Sequence, residues 1–577
     1  MAKHSIPRWL VLCALLAAGC QTTAATGPEA GGGMAVKQAI QAKSFMVSTA
    51  NSLAARAAYD ILKRGGSALD AAIAAQMVLG LVEPQSSGIG GGGFLLHWDA
   101  ARRKVTSYDG RETAPAATSE TMFMRPDGTP MKRWGARVGG LAVGVPGIVA
   151  MLELAHRRHG RLPWKQLFAP AIALANSGFS ISPRLHRMAT KAKFLQRYKA
   201  ARDYLFDADG KALPVGHRLV NKPYARTLKL IAKGGAAAFY GGATAREIVA
   251  AAGGADGNRG LMTLQDMAGY EAKIRNAVCA PYRIYRICGM GPPSTGGLTV
   301  NLILGQLERF DLAALGRDAP AAAHLFSQSS RLAYADRNRY MGDPDARPVP
   351  VAALMDRGYI RARAARIDET RDMGIAQAGR LPQQASTFGD ATAEHSSTSH
   401  LSIVDARGNA VSFTTSIAIG FGSRVMASGF FLNNQLTDFA FRPRKNGVPH
   451  VNRPGPGKRP RSSMSPTMVF GPDGGLRLVI GSPGGTNIIG YVAKTIIAVL
   501  DWKMDVQSAI ALPHYVNRNA KETELESGRA ALRAPLEALG HRIKVRKLTS
   551  GLHGIELFAG RLVGGADPRR EGIVLGE

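Results

Sequence analysis

Apolar residues in this chain follow two rhythms. From 54 to 83, "AARAAYDILKRGGSALDAAIAAQMVLGLVE" repeats them at helical spacing on either side of Gly65 and Gly66, which predicts two helices joined at a glycine break. Helical spacing dominates again from Val138 to Arg184, with Pro146, Pro163 and Pro170 at helix starts. It returns in "HLFSQSSRLAYADRNRYMGDPD" (324–345), read as an amphipathic helix ending in a turn, and in "NIIGYVAKTIIAVLDW". The second rhythm is alternation. "HLSIVD" and "AVSFTTSI" flank a Gly-Asn corner and predict a hairpin, as do the halves of "PTMVFGPDGGLRLVIGS". "SGFFLNNQ", "HRIKVRK", "GIELF" and "RLVGGADP" read as further strands, and no short repeat suggests a solenoid or propeller. Residues 368–397 lose all periodicity and read as an exposed, mobile segment.

Two stretches gain meaning from their positions. Four glycines, 90–93, open an apolar strand in "SSGIGGGGFLLHWD". No Lys-Ser/Thr follows and no helix begins there, so a phosphate loop is excluded; close strand packing or a backbone wall beside a pocket fits. "EHSSTSHLSIVD" places Ser397 and Thr398 where the polar segment meets a strand. A threonine hydroxyl needs an adjacent base, and a terminal α-amine on the same residue can serve, its pKa being near 8. That amine exists only after the Ser397–Thr398 bond is cut. The stretch is thus either a linker with strand-start hydroxyls or a self-cleavage point.

The N-terminus changes the picture further. Lys3 and Arg8 precede "WLVLCALLAAGC", too short to span a bilayer and shaped like a secretory signal. "LAAGC" resembles a lipoprotein signal, which implies cleavage before Cys20 and lipidation of its thiol; a plain signal peptide is the alternative. We expect residues 1–19 to be the signal and 20–45 a flexible tether. An exported compartment would let Cys279 and Cys288, facing each other across a hairpin centred near Arg283, form a disulfide; two buried thiols are the alternative. The net charge is +31, yet the basic residues are spread along the chain without a nucleic-acid-binding motif, which argues against a nucleic-acid partner.

The motifs "GGSALDAAIAA", "EPQSSGIGGGGF", "DGRETAP", "GRLPWKQLFAPAIALA", "PPSTGG", "TSHLSIVDARGNAVSFTTS", "LNNQLTDF", "RPRSSMSPT" and "GSPGG", in this order from about Met46 onward, resemble the gamma-glutamyltranspeptidase (glutathione hydrolase) family of N-terminal nucleophile hydrolases. The resemblance implies an α+β fold, a four-layer αββα sandwich built from two subunits cut from one precursor. A large subunit, 46–397, and a small one, 398–577, would form a heterodimer. Thr398 would be the nucleophile and Ser416 its hydroxyl partner, where the family typically has Thr. Gly484 and Gly485, before a helix, would form the oxyanion hole. Arg111, Ser462 and Ser463 would hold the α-carboxylate of a γ-glutamyl group, and Asp438 with Gln435 its α-amine. His400 would be structural or needed for maturation.

The resemblance implies no cofactor and no metal. It implies glutathione or a similar γ-glutamyl donor, with water or an amino acid or peptide as acceptor, in an exported, periplasmic enzyme anchored, if Cys20 is lipidated, to a membrane. Ala418 stands where many members have an amine-binding Asn, and the segment 439–457, the lid position, is short and rich in Arg and Pro. Two other readings stay open: an amidase for another acyl group, like the related cephalosporin acylases, and a non-catalytic surface lipoprotein.

Overall fold

Residues 36–381, 387–389 and 397–577 are described by a computed structural model, in which the chain is continuous across Ser397–Thr398. Cys20 and the expected signal lie outside the described residues.

Two seven-stranded antiparallel sheets form the centre. The first runs, edge to edge, Ile573–Gly576, Met46–Thr49, Thr398–Val404, Ala410–Ser416, Gly92–Asp99, Lys104–Gly110, Lys273–Arg275. The second runs Ile40–Ala42, Arg561–Ala566, His553–Phe558, Leu476–Gly481, Thr467–Phe470, Tyr285–Gly289, Val278–Tyr282. Both sheets contain strands from before and from after Ser397, so backbone hydrogen bonds would still join the two halves if the chain were cut there.

Strand alternation sorts side chains between the layers. Leu401, Ile403, Val411 and Phe413 join an apolar core with the helices Ser52–Lys63 and Ala68–Val82. Val404 and Ala410, on the opposite face, join Met468, Leu478 and Ile480 of the second sheet, whose far side is covered by Gly296–Leu307 and Ile488–Leu500. This gives the αββα order. The helix Ala68–Val82 is buried along its whole length and starts at a capping box between Ser67 and Asp70, two neighbouring helices being separated by Gly65 and Gly66 as expected. Among the described residues no helix is long and apolar enough to cross a membrane.

The glycine run is explained by close approach. A Cβ on Gly91 would lie 2.1 Å from the Ser416 carbonyl oxygen, and one on Gly90 2.2 Å from that of Phe431. Cys279 and Cys288 are paired in register across the hairpin Val278–Tyr282/Tyr285–Gly289 and form a disulfide.

Three expectations need correction. The tether does not extend to residue 45: Ile40–Ala42 is an edge strand, Phe45 is buried, and Lys37 Nζ donates to the carbonyls of Asp567, Arg570 and Gly572. The helix Pro320–Tyr340 is buried nearly all round, not amphipathic. Its polar groups find partners inside: Arg331 with Asp372, Arg363 with Asp336, and Ser329 with the Ile303 carbonyl. The described part of 368–397 is irregular as expected, yet it is fastened: Asp372 also accepts from Gln328, and Gly379 N–H donates to Asp336.

Candidate active site

Thr398 begins its strand with its neighbours already fixed. It pairs in register with Ser416, and Ser416 in turn pairs with Gly92. Thr398 is 3 % exposed. Its Oγ1 donates to Ser416 Oγ at 3.2 Å, and Ser416 Oγ donates at 2.9 Å to the carbonyl oxygen of Ser397. The Ala418 N–H also donates to Ser416 Oγ, at 2.9 Å. One hydroxyl proton and two lone pairs are thereby all used. The Ser416 hydroxyl thus links the Thr398 hydroxyl to the carbonyl of the preceding peptide bond. The Ser397 hydroxyl is tied to the Gln85 carbonyl at 2.6 Å, and Arg570 Nη1 donates to the Thr398 carbonyl at 3.0 Å.

His400, on the same strand face, has both ring nitrogens engaged, Nδ1 with Thr414 Oγ1 and Nε2 with Ser402 Oγ. Burial, then the neighbouring His553, pushes its pKa well below the usual value, so it stays neutral. A Cβ on Gly481 would strike its ring at 2.3 Å. These contacts fit a structural role.

Gly484 and Gly485 follow the strand Leu476–Gly481 and precede the helix Ile488–Leu500. Their φ values, 145° and 59°, lie where side chains are disfavoured. Gly485 opens the short 3₁₀ turn Gly485–Asn487 that leads into this helix, and a helix start is a setting suited to an anion. Gly551 packs closely between this loop and Arg570, the arginine bound to the Thr398 carbonyl: a Cβ there would meet both Pro483 and Arg570.

Arg111 and Asp438 form a buried ion pair at 2.6 Å. Arg111 also donates to the carbonyls of Pro460 and Arg461, the residues leading to Ser462 and Ser463. Glu112 Oε2 lies 3.4 Å from Arg111 Nη1. Burial outweighs that attraction and raises the Glu112 pKa to about 8. Glu112 stands directly behind Gly92, whose Cβ would be 2.5 Å from its carboxylate. The cross-strand row Thr398, Ser416, Gly92 therefore ends at the Glu112–Arg111–Asp438 cluster. Gln435 and Asp438 share a single 3₁₀ turn, and Gln435 Oε1 is buried with no hydrogen-bond partner among the described residues. Ser462 Oγ accepts from the Met464 N–H, and Ser463 Oγ accepts from Arg337 at 2.6 Å.

Arg337 and Arg570, which no local motif marks, reach the candidate residues from a distant helix and from the C-terminal segment. Glu83, in "EPQSS", accepts from Ser399 and from Arg184 and so braces the residue after Thr398. The region 439–457 carries a small hairpin, Arg444–Lys445/Val448–Pro449, and Arg444 and Arg453 both reach Glu120, so its basic charge is partly neutralised.

The gamma-glutamyltranspeptidase family profile matches residues 54–577. The chain belongs to the gamma-glutamyltranspeptidase family. A glutathione hydrolase proenzyme of Escherichia coli (strain K12) is 34% identical over 590 residues, covering 99% of this chain and 98% of the relative. An acylase ACY 1 proenzyme of Pseudomonas sp. (strain SE83) is 33% identical over 540 residues, covering 91% and 92%. Among solved structures, a cephalosporin acylase from Bacillus halodurans superposes with a TM-score of 0.83 at 26% identity, covering 96% of this chain and 99% of that one. Membership makes this chain an enzyme of the gamma-glutamyltransferase type with an N-terminal nucleophile hydrolase fold.

Proposed function

We propose that the chain cuts itself between Ser397 and Thr398 and that the product hydrolyses or transfers γ-glutamyl groups, with glutathione as a fitting donor. The observation that carries this is the hydroxyl relay from Thr398 through Ser416 to the Ser397 carbonyl. In the first stage Thr398 Oγ1 attacks that carbonyl carbon. The C–N bond breaks, the nitrogen takes the proton, and an ester joins Ser397 to the Thr398 oxygen. Water hydrolyses the ester, leaving a carboxylate on Ser397 and a free α-amine on Thr398. A large subunit ending at Ser397, which includes the edge strand Ile40–Ala42, and a small one, 398–577, result.

In the second stage the α-amine of Thr398 takes the hydroxyl proton as Oγ1 attacks a γ-glutamyl amide. The N–H groups at Gly484 and Gly485 would stabilise the oxyanion, a contribution of about 3 kcal/mol. The proton passes to the leaving amine, and water or an amino acid or peptide amine then resolves the acyl-threonine. The α-carboxylate and α-ammonium of the donor would insert across the Arg111–Asp438 pair, each charge replacing the partner it displaces. Ser462 and Ser463 would add hydroxyls beside Arg111, and the unpartnered Gln435 Oε1 is an acceptor suited to the ammonium.

Export by residues 1–19, a periplasmic location and a lipid on Cys20 are part of the same proposal. A second reading, an amidase for another acyl group, draws support from Ala418, which offers no polar side-chain group to an α-amine, and from the acylase relatives. Assay of γ-glutamyl-p-nitroanilide beside glutaryl and adipyl amides tests the choice. Preference for γ-glutamyl supports the first reading, and turnover of the amine-free acyl groups alone overturns it.

A further inference from the structure

The turn that carries Gly484 and Gly485 is gripped from two sides by groups that the chemistry above does not use. On one side stands Tyr491, on the helix that follows the turn: a Cβ on Gly484 would lie 2.7 Å from its ring. That ring packs on His514, with 4.2 Å between ring centres and 34° between planes. On the other side stands Gly551. A Cβ there would be 2.4 Å from Pro483, and its N–H donates to Ser482 Oγ at 3.4 Å. Both neighbours of Gly551 are bound to the Asp567 carboxylate, Ser550 through its hydroxyl and Leu552 through its N–H at 3.0 Å.

One hydrogen bond joins the two sides, His514 Nε2 to Ser550 Oγ at 2.7 Å. Its direction follows from the charges. Burial raises the Asp567 pKa, but Arg569 and the hydrogen bonds from Ser550, Arg569 and Leu552 bring it below the usual value, so Asp567 is ionised and takes the Ser550 proton. Ser550 then offers only lone pairs to the histidine, so His514 Nε2 carries a proton and donates it. Burial, then the charges of Lys494, Arg569 and Arg529, keep His514 neutral. The series Asp567, Ser550, His514 therefore has one proton per link and fixes the imidazole beneath Tyr491. Lys494, on the same helix as Tyr491, donates to the carbonyls of Leu512 and Pro513 and so secures the approach to His514.

We propose that His514, Ser550 and Asp567 are positioning residues for the oxyanion turn, holding Tyr491 and Gly551 against its two faces so that its N–H groups are aimed before the acyl group arrives. This rests on the assignment of Gly484 and Gly485 as the oxyanion hole. Small displacements of such groups cost rate far more than binding, because the oxyanion exists only in the transition state. The test follows self-cleavage of each variant, then turnover of γ-glutamyl-p-nitroanilide and glutaryl-p-nitroanilide by the mature enzyme. In Ser550→Ala and His514→Leu we expect kcat to fall about 10–100-fold with KM within about threefold, the pattern of a contact made only in the transition state. Cleavage at Thr398, which runs through Ser416, should stay within about threefold of the wild-type rate, a barrier change well under that of a lost oxyanion donor. Ser550→Thr keeps the hydroxyl and should restore most of kcat. Tyr491→Leu leaves Asp567 and its partners intact and should lower kcat in the same way, so the outcome does not depend on how well Ser550→Ala or His514→Leu folds. Wild-type kcat in Tyr491→Leu and in either of those variants overturns the proposal. So does slowing of cleavage and turnover by one common factor, as a general loosening of the fold would give. Gly484→Ala, whose Cβ would strike Tyr491 from the side of the turn, should also lose kcat, and full activity there strikes the oxyanion assignment itself. A wild type that turns over the glutaryl amide alone strikes the γ-glutamyl reading, and the kcat comparison on that probe still decides.

Discussion

Replacing Ser416 by alanine removes one oxygen and three hydrogen bonds. Thr398 Oγ1 loses its acceptor, the Ala418 N–H is left buried without its partner, and the Ser397 carbonyl loses a donor. In the ground state this costs about 1–3 kcal/mol of stability, the range for a buried polar group left unsatisfied. The transition state for self-cleavage suffers more. Negative charge develops on the Ser397 oxygen, and deleting one donor to such an oxygen typically costs about 2.7–4 kcal/mol. We therefore expect Ser416→Ala to fold but to cut itself roughly 10²–10³-fold more slowly. The assay is the appearance of two fragments on a denaturing gel, sampled from the earliest point at which the precursor can be isolated, with circular dichroism to show that the variant is folded. Ser416→Thr keeps the hydroxyl and should restore most of the rate. Cleavage of Ser416→Ala within about threefold of the wild-type rate, a barrier change under ~1 kcal/mol, would refute the relay.

Two further substitutions test the acyl end of the site. Glu112 has a folded-state pKa raised from 4.5 to about 8, so it is protonated at neutral pH and ionises beside Arg111 above that value. Its linkage sign follows: the folded protein holds the extra proton, so stability falls as pH rises from 4.5 through about 8 and is unaffected by this group beyond. KM for γ-glutamyl-p-nitroanilide should climb above pH 8 in the wild type as the new carboxylate competes for Arg111, and Glu112→Gln should flatten that climb; identical profiles would contradict the assignment. Ala418 has φ 74°, a conformation that Asn tolerates better than Ala. Ala418→Asn should lower KM for γ-glutamyl donors about fivefold, one added hydrogen bond worth ~1 kcal/mol, and an unchanged KM would mean that the amine lies elsewhere.

Much of the scaffold was legible because hairpins are local. Alternation around "ARGN" and "PDGG" located strands that the sheets contain, and of the two readings open for Cys279 and Cys288, disulfide or buried thiols, the in-register hairpin decides for the disulfide. The glycine run was legible as a packing device, though its partners, Ser416 and Phe431, were not, being more than three hundred positions away. What failed had one cause: polar residues satisfied inside the protein look solvent-facing in a sequence. The helix at 320–340 carries Ser, Arg and Asp that suggested a wet face, yet Asp372 and Arg363 meet them in the interior. Lys37 looked like part of a solvated tether because the three carbonyls it serves lie at the other end of the chain. Arg337 and Arg570 carried no local signal, because an arginine's role is set by what it reaches across the fold.

The direct test of the account is N-terminal sequencing of the smaller fragment in purified, active enzyme. A sequence beginning Thr-Ser-His-Leu, with Thr398 first, is the predicted result; a fragment starting at any other residue, or full activity in an uncut chain, would contradict it.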